Sequence, residues 1–529
     1  KLKARVTDKE ILRSIDETIS YLNQISVDCE DLNKIIGFVG SKNFEDRIYG
    51  AKLIGASSNQ EIKNNLTFLM RDLVPAVKKQ AIWAAKGTKS KEVIIFLIDF
   101  LDKNQYAPLA HAALMGSGET GLEMLELAYQ KTNISDVFKE RIIRVIPDTG
   151  SLISSAALFN KLSVKSHHSS IVLDGLLRVN FEVDEKDKLN LNHKLIEQAG
   201  ICAWNLNAFY YCPSDSKILY LKDELDREFH KSIHQLFDYL KLAYDKNSIE
   251  AVLENLEAGT GQSIAFAVEL IDTFVDEDIK PYIVPLLEDN SISNKIWALQ
   301  NYFPLREFDT DGLLKAVINR DNNLIGKQAK IYALNAFEHL EKFDLSADLV
   351  AQMFNTDKIL RQISAQLIEH VDSNQYLSTK RRLGDKLRVE LDKQLTNLQV
   401  TGLSATDRIN FFKTCFNGNA DENDILFMLY QSNAIKLNQI NIFELELFKD
   451  KSHIVFVERG GVSLYQGEEL IANYAIGEAI STLNKSQQPW RLIAQNNTVI
   501  HYIDYDKVAG SIYDNSFLVK YIEKQLINE

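Results

Sequence analysis

The chain has four cysteines in 529 residues, Cys29, Cys202, Cys212 and Cys415, and no two of them stand in a C-x-x-C spacing. That excludes a disulfide-stapled secreted scaffold and leaves buried thiols in a reducing compartment as the expectation. Long apolar runs are missing too. The strongest, residues 93–101, is broken by Asp99 and falls far short of the roughly 20 residues that cross a bilayer, so no membrane helix is expected within the chain. Cations are outnumbered, 60 Lys and Arg against 73 Asp and Glu for a net charge of −13. A phosphate backbone binds clustered cations that displace its counterions, so a nucleic-acid partner is disfavoured.

The usual marks of chemistry are also absent. The glycine-rich stretch 115–121 lacks the lysine that a phosphate-cradling loop needs and follows no strand, and 258–261 reads as another turn between helices. Asp226, His230 and His234 share one face of a helix, but no third ligand type is arranged with them, so they read as a solvated polar face. His167 and His168 are adjacent and diverge by about 100° on a helix, which forbids chelation of one ion. No Ser–His–Asp or Cys–His arrangement follows from spacing. No catalytic residue, metal or cofactor is assigned, and the reading is of a protein that is not an enzyme.

What the chain does have is a phrase that returns about every thirty residues: a helix with a small apolar centre, at Ala51, Ala84, Ala113, Ala298, Ala333 and Ala365. Gly55, Gly87, Gly116, Gly150 and Asn180 follow with spacings of 32, 29, 34 and 30, where a residue tolerant of the left-handed conformation would close each helix. A second series runs through Ala267, Ala298, Ala333 and Ala365 at spacings of 31, 35 and 32. Such a period predicts an α-solenoid, a mainly α architecture whose default role is to hold something. The clearest unit, 61–88, contains the turn Arg71-Asp72-Leu73-Val74-Pro75 followed by Val77, Lys78 and Lys79, and resembles the HEAT-repeat pattern.

Between the two series the rhythm is irregular, at about 181–229, with a polar run at 184–192 and the aromatics Trp204, Phe209, Tyr210 and Tyr211. Those four either fill the core where helix pairs meet or line a groove for a protein partner, and the partner surface is placed on them. Near residue 440 the pattern changes to short alternating β-branched runs with glycine turns, which predicts a small sheet or barrel closed by a helix. The expected organisation is a solenoid over 1–395, a helical connector over 396–440 and a β domain over 441–529.

The stretch IVFVERGGVSLYQGEELIANYAIGEAI resembles the cyclic nucleotide-binding fold. The resemblance implies that Gly477 and Glu478 open a phosphate-binding cassette, with the Glu accepting from a ribose hydroxyl. It also implies a phosphate-clamping Arg at the position held here by Gln488. Arg491 lies three residues on, and an odd shift along an extended strand reverses the face. The reading is therefore a degenerate domain that keeps the fold and loses the ligand. The segments HKSIHQLFDYLKLAYDKNSIEAVLENL and QSIAFAVELIDTFVDEDIKPYIVPLLED are similar to the cytoplasmic HEAT region behind the membrane domain of nucleotide-translocase-like transporters of the major facilitator type. That resemblance implies a scaffold or regulatory region at the inner face of a membrane, attached to a membrane part upstream of Lys1, with Lys1, Lys3 and Arg5 as its cytoplasmic flank. The alternative is a sensor whose β domain binds a cyclic nucleotide or related ligand.

Overall fold

The structure, a computed structural model, describes the chain apart from residues 1–8, 180, 341–344, 438–441, 445–452, 467, 482–489, 495–496, 512 and 528–529. It is 66% helix and 7% strand, so the sheet is a small addition to a helical protein. The chain packs as two compact units, Lys1–Val183 and Asp184–Glu529.

In the first unit, short helices follow one another through tight turns, and each packs on neighbours one and two along the chain. Ala51, Ala84 and Ala113 are buried at these contacts. The turn at 71–75 shows why an Asp and a Pro suit it. The Asp72 carboxylate accepts the Val74 N–H at 2.8 Å inside the turn and a bidentate pair from Arg47 at 2.6 and 3.1 Å, while Pro75 opens the helix Pro75–Ala84. That Arg47 contact holds the Asp72 carboxyl below its ordinary range. Gly87, Gly116 and Gly150 adopt φ of 67°, 73° and 71°, the left-handed conformation expected of them. Two also tie one turn to the next, Gly87 N–H donating to Ala113 O at 3.1 Å and Gly116 N–H to Asp148 O at 2.9 Å.

Gly55 departs from the expectation. It lies inside the helix Phe44–Ala56 rather than past its end, and a Cβ there would stand 3.0 Å from the Ala84 Cβ. Its smallness serves the close approach of two helices, not a turn. Asn180 lies outside the described residues. Because Gly55 and Ala84 meet without spare room, Ala84→Phe should cost roughly 1–3 kcal/mol by overpacking. Thermal unfolding reads this directly, and an unchanged midpoint would contradict the contact.

The second unit opens with its two longest helices, Glu185–Tyr211 and Leu219–Ala243, where the sequence suggests irregular repeats. The helices are regular, but the apolar period is blurred because amides replace aliphatics along their seam. Gln198 Nε2 donates to Ser232 O at 2.9 Å, and Asn205 Nδ2 donates to Glu228 O at 3.2 Å. Later helices share a different device. The last carbonyls of a helix have no partner within it, and here basic side chains reach them: Lys295 donates to Leu286 O at 3.1 Å and Lys330 to Arg320 O. Arg141 does the same for Leu101 O at 2.7 Å in the first unit. Each places positive charge near a helix C-terminus, where the dipole favours it. Ala333 and Ala365 are fully buried, whereas Ala298 is only half-buried and the neighbouring Trp297 is 73% exposed.

The helix Glu422–Gln431 leads directly into β1, Asn433–Leu437. The sheet region therefore begins within the 396–440 segment read as a helical connector. The remaining strands are β2 (Ile442–Glu444), β3 (His453–Arg459), β4 (Val462–Gln466), β5 (Glu469–Tyr474), β6 (Ala479–Ser481), β7 (Trp490–Ala494) and β8 (Thr498–Asp504). They form two antiparallel four-stranded sheets in the orders β1-β8-β3-β6 and β2-β7-β4-β5. Val455 and Val457 of one sheet meet Val462, Leu464 and Leu492 of the other in one apolar cluster. The opposite face of β3 and β8 sets Ile454, Phe456 and Ile503 against Phe412, Phe416 and Leu518 of the helices. Covered on both faces, β3 reads as a continuous apolar run instead of an alternation.

Among the described residues no helix is long and apolar enough to cross a membrane. All four cysteines are buried and unbridged.

Candidate functional site

Toward its C-terminal end the helix Glu185–Tyr211 turns Ala199, Cys202, Ala203 and Leu206 into the core, because residues three and four apart share a face. Trp204, Phe209 and Tyr211 are half-buried and packed on the core cluster, and Tyr210 is 43% exposed. The four aromatics named from sequence thus form neither an open groove nor a sealed core but a rim.

Phe308, itself buried, backs the rim from a distant segment, edge-on to Trp204 at 6.4 Å and to Tyr211 at 6.2 Å between ring centroids. Asn207, itself buried, anchors that segment by donating from Nδ2 to Arg306 O at 2.9 Å. Tyr210 stands edge-on to Tyr211 at 5.1 Å. Three cations lie over these rings: Arg320 at 3.7 Å from the Trp204 centroid, Arg306 at 4.9 Å from that of Phe308, and Lys222 at 5.4 Å from that of Phe209.

The cations differ in what they hold. Lys222 donates to Cys212 O and Ser214 Oγ. The Arg306 and Arg320 guanidiniums make no hydrogen bond or ion pair with any described residue, and Arg320 Nε is buried without a partner. Burial pulls the Arg320 pKa down to about 10, and the nearby Asp321 is too weak to restore it. Sequence reasoning missed Phe308, Arg306 and Arg320, because they stand about a hundred residues from the aromatics and no local pattern links them.

In the sheet region, Gly477 takes a φ of 88° in the turn between β5 and β6, and its N–H donates to Val457 O at 2.8 Å. The exposed Glu478 carboxylate accepts the Ala475 N–H at 2.6 Å, closing its own turn. Arg491 lies in β7, paired by backbone with Glu444 and Tyr465 in the second sheet, whereas Gly477 and Glu478 bond to β3 of the first. Gln488 lies outside the described residues.

A third cluster is buried among helices. Glu224 and Glu228 from Leu219–Ala243 and Glu422 from Glu422–Gln431 converge near Gly326, where a Cβ would collide with carboxylate oxygens of both Glu228 and Glu422. Lys231 lies 3.2 Å from Glu422 and 3.8 Å from Glu228, and Lys413 lies 3.3 Å from Glu224. Burial raises the Glu228 carboxyl to about 7, with Lys231 opposing the shift and the neighbouring carboxylates adding to it. Three acids balanced by nearby cations, with Arg227 2.6 Å from Glu224, make a structural network at a four-helix junction.

No three His, Cys, Asp or Glu side chains among the described residues are arranged to hold a metal ion. His230 and His234 are exposed, His230 Nδ1 standing 2.9 Å from Asp226 O. Residues 258–261 form a turn in which Thr260 and Ser263 cap the next helix. The sequence matches no model of a known family, and no curated protein matches it.

Proposed function

We propose that this chain is a non-catalytic scaffold or regulatory region, a HEAT-type α-solenoid with a degenerate cyclic nucleotide-binding-like domain, that engages a protein partner. One observation carries the reading: an aromatic rim left partly open at the end of the longest helix and bordered by two unpaired guanidiniums. The solenoid character is supported by Lys295 and Lys330, which hold one place in the repeated phrase and reach the last carbonyls of the helices before them. Loss of the ligand is supported by Gln488 at the position of the clamping Arg and by the use of the Glu478 carboxylate within its own turn. The resemblance to transporter-associated HEAT regions extends the proposal to a cytoplasmic part of a membrane transporter-like protein.

A photo-crosslinking residue at position 210 should give a discrete adduct that the same residue at the exposed Leu127 does not. Equal labelling from both positions would remove the basis for a partner surface at the rim. Calorimetric titration with cyclic AMP or cyclic GMP should show no micromolar site. Loss of a buried charge-assisted contact costs roughly 2–5 kcal/mol, enough to move a micromolar site toward millimolar. A micromolar isotherm would instead favour the sensor reading, for which the intact Gly477 turn is the supporting observation.

A further inference from the structure

We infer that the rim formed by Trp204, Tyr210 and Tyr211 over the buried Phe308 takes an acidic segment of a protein partner, its carboxylates bound by Arg306 and Arg320. This rests on the scaffold reading above and adds the chemistry of what is held. Residues 184–529 contain 36 Lys and Arg against 51 Asp and Glu, so a guanidinium in this unit has no shortage of acids to pair with. Other cations largely withdrawn from water there are bonded: Arg361 to Asn355 O and Glu390, Arg408 to Leu429 O and Ser432 O, Lys295 to Leu286 O. Arg320 departs from that pattern, and the exposed Arg306 stands equally unpaired on the same aromatic cluster.

Their geometry states what is missing. A guanidinium stacked on a ring offers its flat face to the π-system and keeps its N–H donors in plane, directed past the ring edge. That fork matches a carboxylate, which it binds bidentately. The guanidinium carbon of Arg320 lies 3.7 Å from the Trp204 centroid and that of Arg306 4.9 Å from the Phe308 centroid, and the two rings are 6.4 Å apart, so two guanidiniums border one apolar step. The exposed Tyr210 continues that step with a phenol able to hydrogen-bond. Glu307 and Asp321 flank the arginines in sequence, which moderates the local positive charge and suits dispersed carboxylates better than a polyphosphate. The occupant that fits is a short extended or helical segment with Asp or Glu spaced around an aromatic or aliphatic side chain.

The test uses the full chain and a fluorescein-labelled peptide, Asp-Glu-Phe-Asp-Glu, followed by anisotropy. Binding should weaken as salt rises, and Arg306→Gln and Arg320→Gln should each weaken it about fivefold or more. Arg320→Met should lose binding while its thermal midpoint changes little, since the half-buried guanidinium makes no hydrogen bond or ion pair with any described residue. A peptide with Lys in place of every acid should not bind. No binding by the parent protein, equal binding of the Lys peptide, or undiminished binding by Arg306→Gln, which is exposed and free to fold, would each overturn the inference. Crosslinking at position 210 without peptide binding would leave the scaffold reading standing and remove this one. Failure of both would remove both.

Discussion

Phe412→Ala should destabilise the 184–529 unit by about 3–5 kcal/mol, the range for emptying a large aromatic from a core. Phe412 is fully buried on the helix Ala405–Cys415. Its ring stacks on Phe416 at 6.2 Å and meets Phe456 of β3 edge-on at 6.0 Å and His501 of β8 at 5.0 Å. With Phe416 and Leu518 it is one of the side chains through which the helices hold the back of the first sheet. His501 is sealed there, bonded to Glu458 and stacked on Phe411 at 5.2 Å, and burial lowers its pKa below the ordinary imidazole value. Removing the Phe412 ring leaves a cavity beside a buried histidine and carboxylate, so β3 and β8 should lose hydrogen-exchange protection before the long helices do. Denaturant unfolding with an unshifted midpoint would rule out this role. Tyr210→Ala, at the exposed edge of the rim, should cost little by the same assay, which separates core from surface.

The second large effect is in pH dependence. The Glu228 pKa lies near 7 in the folded chain, against 4.5 for an ordinary glutamate, so the folded state holds the proton more tightly. The stability this contributes is complete below about pH 4.5, declines as pH rises, and is gone above about 7. The amount is on the order of 3 kcal/mol at 1.36 kcal/mol per pH unit, the opposing effect of Lys231 being already contained in that pKa. Glu228→Gln mimics the protonated acid at every pH. Urea unfolding should therefore give similar stabilities for variant and parent at pH 5, with the variant the more stable at pH 8. Parallel pH profiles for the two proteins would show that Glu228 does not hold its proton in the folded state.

Features that depend on a few neighbouring residues are legible in the order of the residues alone. The glycines at 87, 116 and 150 adopt positive φ because each ends a local helix, and the 71–75 turn is built by Asp72 and Pro75 within its own five residues. The short alternating runs after residue 440 form strands, with β3 continuous because both its faces are covered. The paired helices across 185–243 are not legible as a regular pair, because buried Gln198 and Asn205 stand where an apolar period would have announced them. Gly55 misleads because a tight helix crossing and a helix end both call for glycine, and only the position of Ala84 distinguishes them.

By itself, the sequence determined the helical character of the chain, the change to strands near its end, the local turns, and the four aromatics at 204–211. Each follows from side-chain periodicity or backbone preference acting over a handful of residues. Only the tertiary structure decided that those aromatics form a rim, that Phe308 completes it, and that Arg306 and Arg320 lie over it unpaired. Those relations join residues about a hundred positions apart, through Asn207 bonding to Arg306 O. The free energy of a charge depends on what surrounds it in space, and no local pattern of the chain encodes that.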